Sequence, residues 1–397
     1  MNFIFISPNF PSNYYHFCQE LRKNGVNVLG IGDCPYDELD RNVRLSLNEY
    51  YKVSTLENYD EVYRAVAFFA FKYGRIDWLE SNNEYWLEQD AALRTDFNIP
   101  TGFHTSDMRK VKYKSEMKKY YAKAGIPAAR WYIADTLENT QKFIDSIGGY
   151  PVIIKPDNGV GAGDTHKLKN ADELAAFFAR KPEEPYICEE MVKGVVCSYD
   201  AIINSKGKPI FETGNVSPIS IMDIVNEAGN SYFYMVKNLP DDVRNYGRKA
   251  VKVFGVKSRF IHFEFFRLYE DQEGLGKKGD VVGLEVNLRP SGGVSPDMHN
   301  FANSTDVYKI WADMIVYDSS EYGQNGQHYY CGFGGRRAGR NFVMNHEEIM
   351  QKFGHKIVMQ GPVQAALSSA MGDYMYMGRF DTEEEMNQFI REIFAEK

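Results

Sequence analysis

The sequence predicts a mixed α/β fold with a parallel sheet at its N-terminus and a strand-rich part after it. Apolar strands and amphipathic helices alternate over residues 1–105, which is typical of a parallel βαβ sheet. A β-branched run then ends in Lys155 and a glycine-rich loop. Further along, two neighbouring apolar strands carry acidic residues at positions 264 and 285. These three features predict the fold class and the order of its parts.

The composition favours a globular protein over a membrane or nucleic-acid-binding one. The chain has 397 residues, 44% hydrophobic and 25% charged, enough for two or three domains. Acidic residues outnumber basic ones by 54 to 46, and the net charge of −8 argues against a nucleic-acid partner. No apolar run approaches the length of a membrane span, so no membrane is expected. The five scattered cysteines indicate reduced thiols and a cytoplasmic location.

Residues 1–105 are expected to form one parallel α/β domain. A strand at 3–6, a helix at 13–24 that ends at Gly25 and a strand at 26–31 make a βαβ unit. A helix at 58–73 and a strand at 76–80 follow, and this strand ends in Glu80, Ser81, Asn82, Asn83 and Glu84. Such residues could reach a ligand beyond the carboxyl ends of the strands. The alternative is a cluster that caps the helix at 85–97, which we favour for Asn82 and Asn83.

A lysine-rich segment at 111–124 predicts a helix that ends at Gly125. Most of its lysines are interpreted as a solvated face, and Lys114 alone is set apart. After a helix at 135–147, a buried strand delivers Lys155 to a loop that contains Gly159, Gly161 and Gly163. Glycines let backbone N–H groups approach a phosphate, and the lysine adds a charge for the same anion. The alternative is an ordinary surface turn.

The second half of the chain predicts mostly strands. A helix at 171–179 and a strand at 186–192 precede a hairpin at 195–203 and 208–213. The polar and aromatic segment 214–238 is either a loop that closes over a substrate or an irregular connection. Then come a helix at 241–255, strands at 260–266 and 281–288, and a helix at 304–316. Residues 321–397 predict a small α/β appendage with strands near 328–333, 356–360 and 374–380, and a last helix at 382–394 capped by Asp381.

A metal site is predicted where the strands at 260–266 and 281–288 pair. Glu285 and Asn287 are two residues apart and therefore share a face, and Glu264 lies on the neighbouring strand. Two carboxylates and an amide oxygen suit Mg²⁺. Arg289 shares this face if the strand continues that far. The alternative is a solvent-facing polar stripe, which the apolar residues around it argue against.

The ordered motifs resemble the ATP-grasp superfamily of ADP-forming ligases. Lys114 and Lys155 match the family's two phosphate-binding lysines, and Glu189, Glu190, Met191 and Val192 match its adenine segment. His262-Phe-Glu264 and Glu285-Val-Asn287-Leu-Arg289 match its metal strands and substrate-side arginine. The resemblance covers about 1–315. It implies a pre-ATP-grasp domain at 1–105, a lid subdomain at 106–190, a catalytic subdomain at 191–320 and the appendage at 321–397.

The resemblance implies a ligase that activates a carboxylate as an acyl phosphate and couples it to an amine, releasing ADP. Arg289 and Lys155 would be catalytic, Lys114, Lys155, the loop glycines and the adenine segment would hold ATP, and Glu264, Glu285 and Asn287 would hold metal. Two Mg²⁺ ions are expected, for which Mn²⁺ could substitute. The partners would be small carboxylates and amines, such as amino acids or small peptides, and a homodimer is left open.

Three points stay open within the resemblance. Val195 stands where many members carry an acidic residue that reaches the ribose. No general base is evident, because His262 and His299 are interpreted as structural. The alternatives to an amide ligase are an enzyme that activates bicarbonate and a nucleotide-binding module without turnover.

Overall fold

The computed structural model describes residues 1–159, 164–219, 224, 229–322 and 326–397. Over these ranges the chain forms three β-sheets with helices packed against them. Among the helices in these ranges, none is both long and apolar enough to cross a membrane.

The N-terminal sheet is parallel, as the βαβ pattern predicts. Its strands are β1 (Asn2–Ile6), β2 (Asn27–Gly32), β3 (Glu49–Lys52) and β4 (Trp78–Glu80). Its helices are α1 (Tyr15–Lys23), α2 (Arg41–Ser46), α3 (Tyr59–Tyr73) and α4 (Leu87–Asp96). The strands lie in the order β3-β2-β1-β4 in the described part of the chain. The carboxyl ends of β1 and β4 therefore meet at one edge.

The lysine-rich segment forms two helices rather than the single helix predicted at 111–124. They are α5 (Thr105–Lys112) and α6 (Lys114–Ala124). Tyr113 separates them with an extended backbone, because it forms a β-bridge with Asn158. The break makes Lys114 the first residue of α6, at the end of the helix where N–H groups and the helix dipole favour anions.

A small antiparallel sheet carries the central lysine. It comprises β5 (Trp131–Ile133), β6 (Val152–Pro156), β7 (His166–Leu168) and β8 (Tyr186–Glu190), covered by α7 (Leu137–Ser146) and α8 (Ala171–Phe178). The order is β5-β8-β6-β7 among the residues described. Val152, Ile154 and Cys188 pack under the helices. Because side chains alternate along a strand, Lys155 and Glu189 face the other way.

A large antiparallel sheet occupies the rest of the chain. Its strands are β9 (Gly194–Ile203), β10 (Pro209–Thr213), β11 (Asn215–Ser217), β12 (Ser231–Met235), β13 (Arg259–Leu268), β14 (Val281–Asn287), β15 (Tyr330–Arg336), β16 (Ile357–Pro362) and β17 (Tyr374–Phe380). The helices are α9 (Asp241–Phe254), α10 (Ser295–Asn303), α11 (Val307–Tyr317), α12 (His346–Phe353), α13 (Ala365–Met371) and α14 (Glu383–Phe394). The main core lies between this sheet and helices α6 and α9, around Tyr121, Phe254 and Phe263.

The order of the large sheet joins the C-terminal strands to the central ones. It runs β14-β13-β9-β11-β12-β15-β17-β16, with β10 paired to β9, over the described residues. Segment 214–238 supplies β11 and β12, while 220–223 and 225–228 lie outside the described residues, so the choice between a loop over a substrate and an irregular connection is not tested.

Two details of the later helices differ from the prediction. Helix α14 is capped by the hydroxyl of Thr382, which accepts from the Glu385 N–H, and not by Asp381. Helix α10 was not predicted, and the helix expected at 304–316 begins at Val307 after its cap Asp306.

Candidate active site

One face of the large sheet carries a compact array of polar side chains. The array consists of Ser198 and Asp200 on β9, His262 and Glu264 on β13, and Glu285 and Asn287 on β14. Glu264 lies directly opposite Glu285, and His262 directly opposite Asn287. The alternating residues Ile261, Phe263 and Val286 fill the core on the other face. The paired register thus brings the three predicted metal ligands together.

The donor set at this array fits Mg²⁺. Directly opposed residues in an antiparallel pair have Cβ atoms about 4.5–5.5 Å apart, so the carboxylates of Glu264 and Glu285 can reach one ion. Within the described ranges, no group of three or more His, Cys, Asp or Glu side chains could hold a metal. A site with two carboxylates and the Asn287 amide oxygen leaves the remaining positions to water and phosphate, as Mg²⁺ prefers.

A buried histidine, His262, contacts a carboxylate on each side, Asp200 and Glu264. His262 Nδ1 lies 2.7 Å from Oδ1 of Asp200, and its Nε2 lies 3.3 Å from Oε1 of Glu264. Burial lowers the pKa of His262, but Asp200 and Glu264 outweigh it and raise the pKa to about 9. Nearby, burial lowers the pKa of His299 to about 4. His262 is therefore a cation at neutral pH, whereas His299 is neutral.

This histidine changes the expected electrostatics of the carboxylate pair. Two carboxylates this close repel each other, and repulsion alone would raise the pKa of at least one of them. Burial does raise the pKa of Glu264, but His262 and then Arg289 outweigh it, so its pKa is lowered. His262 thus offsets the repulsion at Glu264, through a contact that the sequence did not show.

The small sheet presents a second cluster around Glu189. Lys155 Nζ lies 2.9 Å from Oε2 of Glu189, and Lys118 Nζ lies 3.0 Å from Oε1. Burial raises the pKa of Glu189, but Lys118 and Lys155 outweigh it and lower the pKa to about 2. Burial lowers the pKa of Lys155, but Glu189 and Glu285 raise it more, so it is raised overall. Glu189 and Lys155 are therefore ionised at neutral pH.

Lys114 connects the two clusters. Its Nζ donates to the carbonyl of Gly159 at 3.2 Å and lies 3.6 Å from Oε1 of Glu285. Its backbone N–H donates to the carbonyl of Asp157. Lys114 thus contacts Glu285, which is also one of the carboxylates that raise the pKa of Lys155. Gly161 and Gly163 lie outside the described residues.

The rest of the adenine segment is arranged differently from Glu189. Glu190 points to the opposite face of β8, where Arg130 contacts its Oε2 through Nε at 3.0 Å and Nη2 at 2.6 Å. The carbonyl of Met191 accepts from Gln272, and Val192 packs on Leu268 and its neighbours. The structure therefore does not bring the Glu190 side chain to the cluster.

Arg289 extends toward the N-terminal sheet. Its Nε lies 3.5 Å from Oε2 of Glu84, whose Oε1 accepts from Lys112 at 2.7 Å. Burial raises the pKa of Glu84, but Lys112 and Arg289 outweigh it and lower the pKa. Glu80 is held by Arg259 at 2.6 Å. The predicted polar edge of the N-terminal sheet thus reaches the site through Glu84.

Sequence reasoning missed several residues of this site. They are Glu84 as an Arg289 partner, Lys112, Lys118 and Asp200. The solvated-face interpretation is wrong for Lys112 and Lys118, which are each 4% exposed. A usable signal was the position of Lys118 one helical turn after Lys114. Asp200 gave no signal, because it meets His262 only through strand pairing across 62 positions.

Sequence relatives match only parts of the chain. No family model matches the chain. The carbamoyl phosphate synthase large chain of Pyrococcus furiosus is 22% identical over 208 residues, 51% of this chain and 19% of that protein. Cyanophycin synthetase of Trichormus variabilis is 31% identical over 84 residues, 20% of this chain and 9% of that protein. The matched segments thus span less than a fifth of these curated relatives.

Solved structures match almost the whole chain. An L-amino acid ligase from Bacillus licheniformis has a TM-score of 0.73 at 15% identity, covering 99% of this chain and 96% of that one. The biotin carboxylase domain of a Hydrogenobacter thermophilus 2-oxoglutarate carboxylase, bound to MgADP and bicarbonate, has a TM-score of 0.69 at 15% identity, covering 98% and 89%. The predicted fold class is confirmed: this chain has the ATP-grasp fold that its ordered motifs resemble.

Proposed function

We propose that the protein is an ATP-dependent carboxylate–amine ligase that releases ADP and phosphate. The observation that carries the proposal is the opposed pair Glu264–Glu285, with Asn287 beside it and Lys114 3.6 Å from Glu285. The proposed metal ligands thereby lie beside a proposed phosphate-binding cation, which is what phosphoryl transfer requires. Structural neighbours that include an amino acid ligase support the same reaction class.

ATP and Mg²⁺ are the proposed cofactors. Two neighbouring structures were solved with ADP or MgADP bound to those proteins. In this chain Lys114, Lys155 and the loop at Gly159, Gly161 and Gly163 would hold the phosphates. Glu189 and the backbone near Met191 and Val192 would hold the base, with Glu190 braced by Arg130. Glu264, Glu285 and Asn287 would hold two Mg²⁺ ions, for which Mn²⁺ could substitute, and the metal would neutralise developing phosphate charge.

The reaction proceeds in two balanced steps. An oxygen of the substrate carboxylate attacks the γ-phosphorus of ATP, the bond to the bridging oxygen breaks, and ADP leaves with an acyl phosphate formed. The nitrogen of the neutral amine then attacks the acyl carbon, the bond from that carbon to the phosphate oxygen breaks, the departing phosphate takes up the proton that the nitrogen releases, and an amide remains. Lys114 and Lys155 offset the phosphate charge. Arg289, 3.5 Å from Glu84, would hold the acyl phosphate and the tetrahedral oxyanion.

Amino acids or small peptides are the proposed substrates. The amino acid ligase neighbour and the short match to cyanophycin synthetase favour them. Activation of bicarbonate is the second candidate, because the carboxylase neighbour was solved with bicarbonate and carbamoyl phosphate synthase matches half of the chain. We also propose domain boundaries at 1–105, 106–190, 191–320 and 321–397, and leave a homodimer as the proposed assembly.

An ADP-release assay with a pooled amino-acid library separates these functions. The proposal expects ADP formation that depends on amino acids, and a product whose mass equals two substrates minus water. ADP formation with bicarbonate alone would favour the second candidate. Nucleotide binding without turnover under either condition would favour a binding module. Glu270→Gln, an exposed residue paired with Lys193, serves as a surface control.

A further inference from the structure

Lys118 is buried in the candidate active site, and the proposed mechanism gives this lysine no role. It lies four residues after Lys114 on α6, so both side chains project from one face of the helix, about 6 Å apart along its axis. The Lys118 side chain is 2% exposed, and its Nζ lies 3.0 Å from Oε1 of Glu189. A lysine in this position is not part of a solvated face.

The surroundings of Lys118 make Glu189 its main counterion. Lys118 lines a cavity of about 410 Å³ together with Ala122, Ile126 and Ala128. A buried ammonium among apolar groups is costly unless a carboxylate compensates it. Burial lowers the pKa of Lys118, and Glu189 is the largest influence that raises it again. Lys118 and Glu189 are therefore buried as a unit.

Glu189 has one lysine on each oxygen. Lys155 contacts Oε2 and Lys118 contacts Oε1. Under the proposed function Lys155 turns to the phosphates when ATP binds, and a second cation must then compensate the buried carboxylate. Lys118 is placed to do so, because its contact is with Glu189, whereas Lys114 contacts Gly159 and Glu285.

We propose that Lys118 is a positioning residue for purine recognition, which keeps Glu189 ionised and aimed at the amine of adenine while Lys155 binds phosphate. The inference rests on the proposed function. It assigns two tasks to Lys114, Lys155 and Lys118: the first two act on the phosphates, and Lys118 acts on the base through Glu189. Loss of Lys118 should therefore reduce the preference for adenine over guanine nucleotides and leave the rate of the chemical step unchanged.

The test compares ATP and GTP as substrates for Lys118→Met, which keeps the length of the stem but removes the charge. The preference for ATP, as a ratio of kcat/KM values, should fall about 10-fold, the effect of one charged hydrogen bond. The KM for ATP should rise while kcat at saturating ATP stays near that of the parent. Lys118→Arg should restore part of the preference. Lys119→Met, on the same helix with a 52% exposed side chain, is the matched control.

A merely structural role predicts a different pattern. It would lower the melting temperature and kcat and leave the ATP preference unchanged, which would overturn the inference. If Lys118→Met does not fold, the double variant with Glu189→Gln removes both buried charges together. Its ATP preference should then equal that of Glu189→Gln alone, and a further independent loss would contradict the inference. Absence of nucleotide binding to the parent protein would instead overturn the proposed function.

Discussion

At the scale of single residues, the site depends on paired charges that the fold buries together. Glu264 and Glu285 face each other across two strands, and each already has a cationic neighbour, His262 at 3.3 Å and Lys114 at 3.6 Å. Both carboxylates therefore contact a basic side chain before any metal is added. This arrangement explains how a polar array is tolerated over an apolar core.

Replacing Glu285 tests the metal site. Glu285→Gln removes one anionic ligand, so turnover should fall by more than the roughly 10–100-fold typical of residues that only support a ligand. Folding should persist without Mg²⁺, because the change also removes the repulsion from Glu264. Turnover and thermal melting with and without Mg²⁺ give the answer, with Glu270→Gln as the surface control. Unchanged turnover would exclude Glu285 as a ligand.

Replacing the two phosphate-site lysines tests the nucleotide site. Lys114→Ala and Lys155→Ala should each weaken ATP binding about 10–100-fold, the range of a lost charged hydrogen bond. Lys155→Ala should still fold, because Lys118 remains 3.0 Å from Glu189. Calorimetric titration with ATP measures both effects. Parent-like ATP affinity in both variants would show that these lysines do not hold phosphate.

At the scale of elements, Asp157 fixes the start of α6 from the end of β6. Its side chain accepts from the N–H and the hydroxyl of Ser115, both at 2.7 Å. Asp157→Ala removes this cap, so the free energy of unfolding should fall by about 1–2 kcal/mol. The KM for ATP should rise as well, because Lys114 begins that helix. Denaturant unfolding and enzyme kinetics measure the two effects. A loss of stability without a change in KM would show that Asp157 does not position Lys114 for ATP.

Asp90 links α4 to the end of β4 and should make stability depend on pH. It accepts from the N–H and hydroxyl of Ser81 at 2.9 and 2.6 Å, and burial, with a smaller effect of Glu80, raises its pKa to about 7. The folded state therefore binds this proton more tightly than the unfolded state. Protonation of Asp90 therefore contributes to the stability of the folded state below about pH 4, and this contribution is lost as the pH rises to about 7.

Asp90→Asn removes this titration and keeps a carbonyl acceptor for Ser81. Relative to the parent, the variant should become more stable as the pH rises from 4 to 8, by at most about 4 kcal/mol at 1.36 kcal/mol per pKa unit. Melting curves across that range measure the difference. Parallel pH profiles of the two proteins would show that Asp90 does not titrate as described.

The elements show which parts of the fold a sequence can predict. Strands β13 and β14 were predicted because alternation is a local signal, and their pairing then placed Glu264 beside Glu285. The break at Tyr113 was missed because its cause is Asn158, a contact distant in the chain. Lys118 on α6 was misassigned for the same reason, because its partner Glu189 lies on β8, far away in the sequence. Local patterns thus predicted the candidate ligands, and tertiary contacts decided which side chains lie beside them.

At the scale of the whole molecule, residues on or next to each of the three sheets contribute to the candidate active site. The segment after β4 of the N-terminal sheet supplies Glu84 beside Arg289, the small sheet supplies Lys155 and Glu189, and the large sheet supplies the opposed pair Glu264–Glu285. Within the described residues the C-terminal strands continue the large sheet through the β12–β15 pair. The appendage expected from the sequence is therefore hydrogen-bonded to the sheet that carries the site.

The most direct test of the ligase mechanism follows the oxygen atoms of the substrate carboxylate. The carboxylate identified by the ADP-release assay is labelled with ¹⁸O and incubated with ATP, Mg²⁺ and the amine. An acyl phosphate requires one labelled oxygen to appear in the released phosphate, in an amount equal to the amide formed, and Glu285→Gln should abolish both. Amide formation with unlabelled phosphate, or label transfer from bicarbonate instead, would contradict the account.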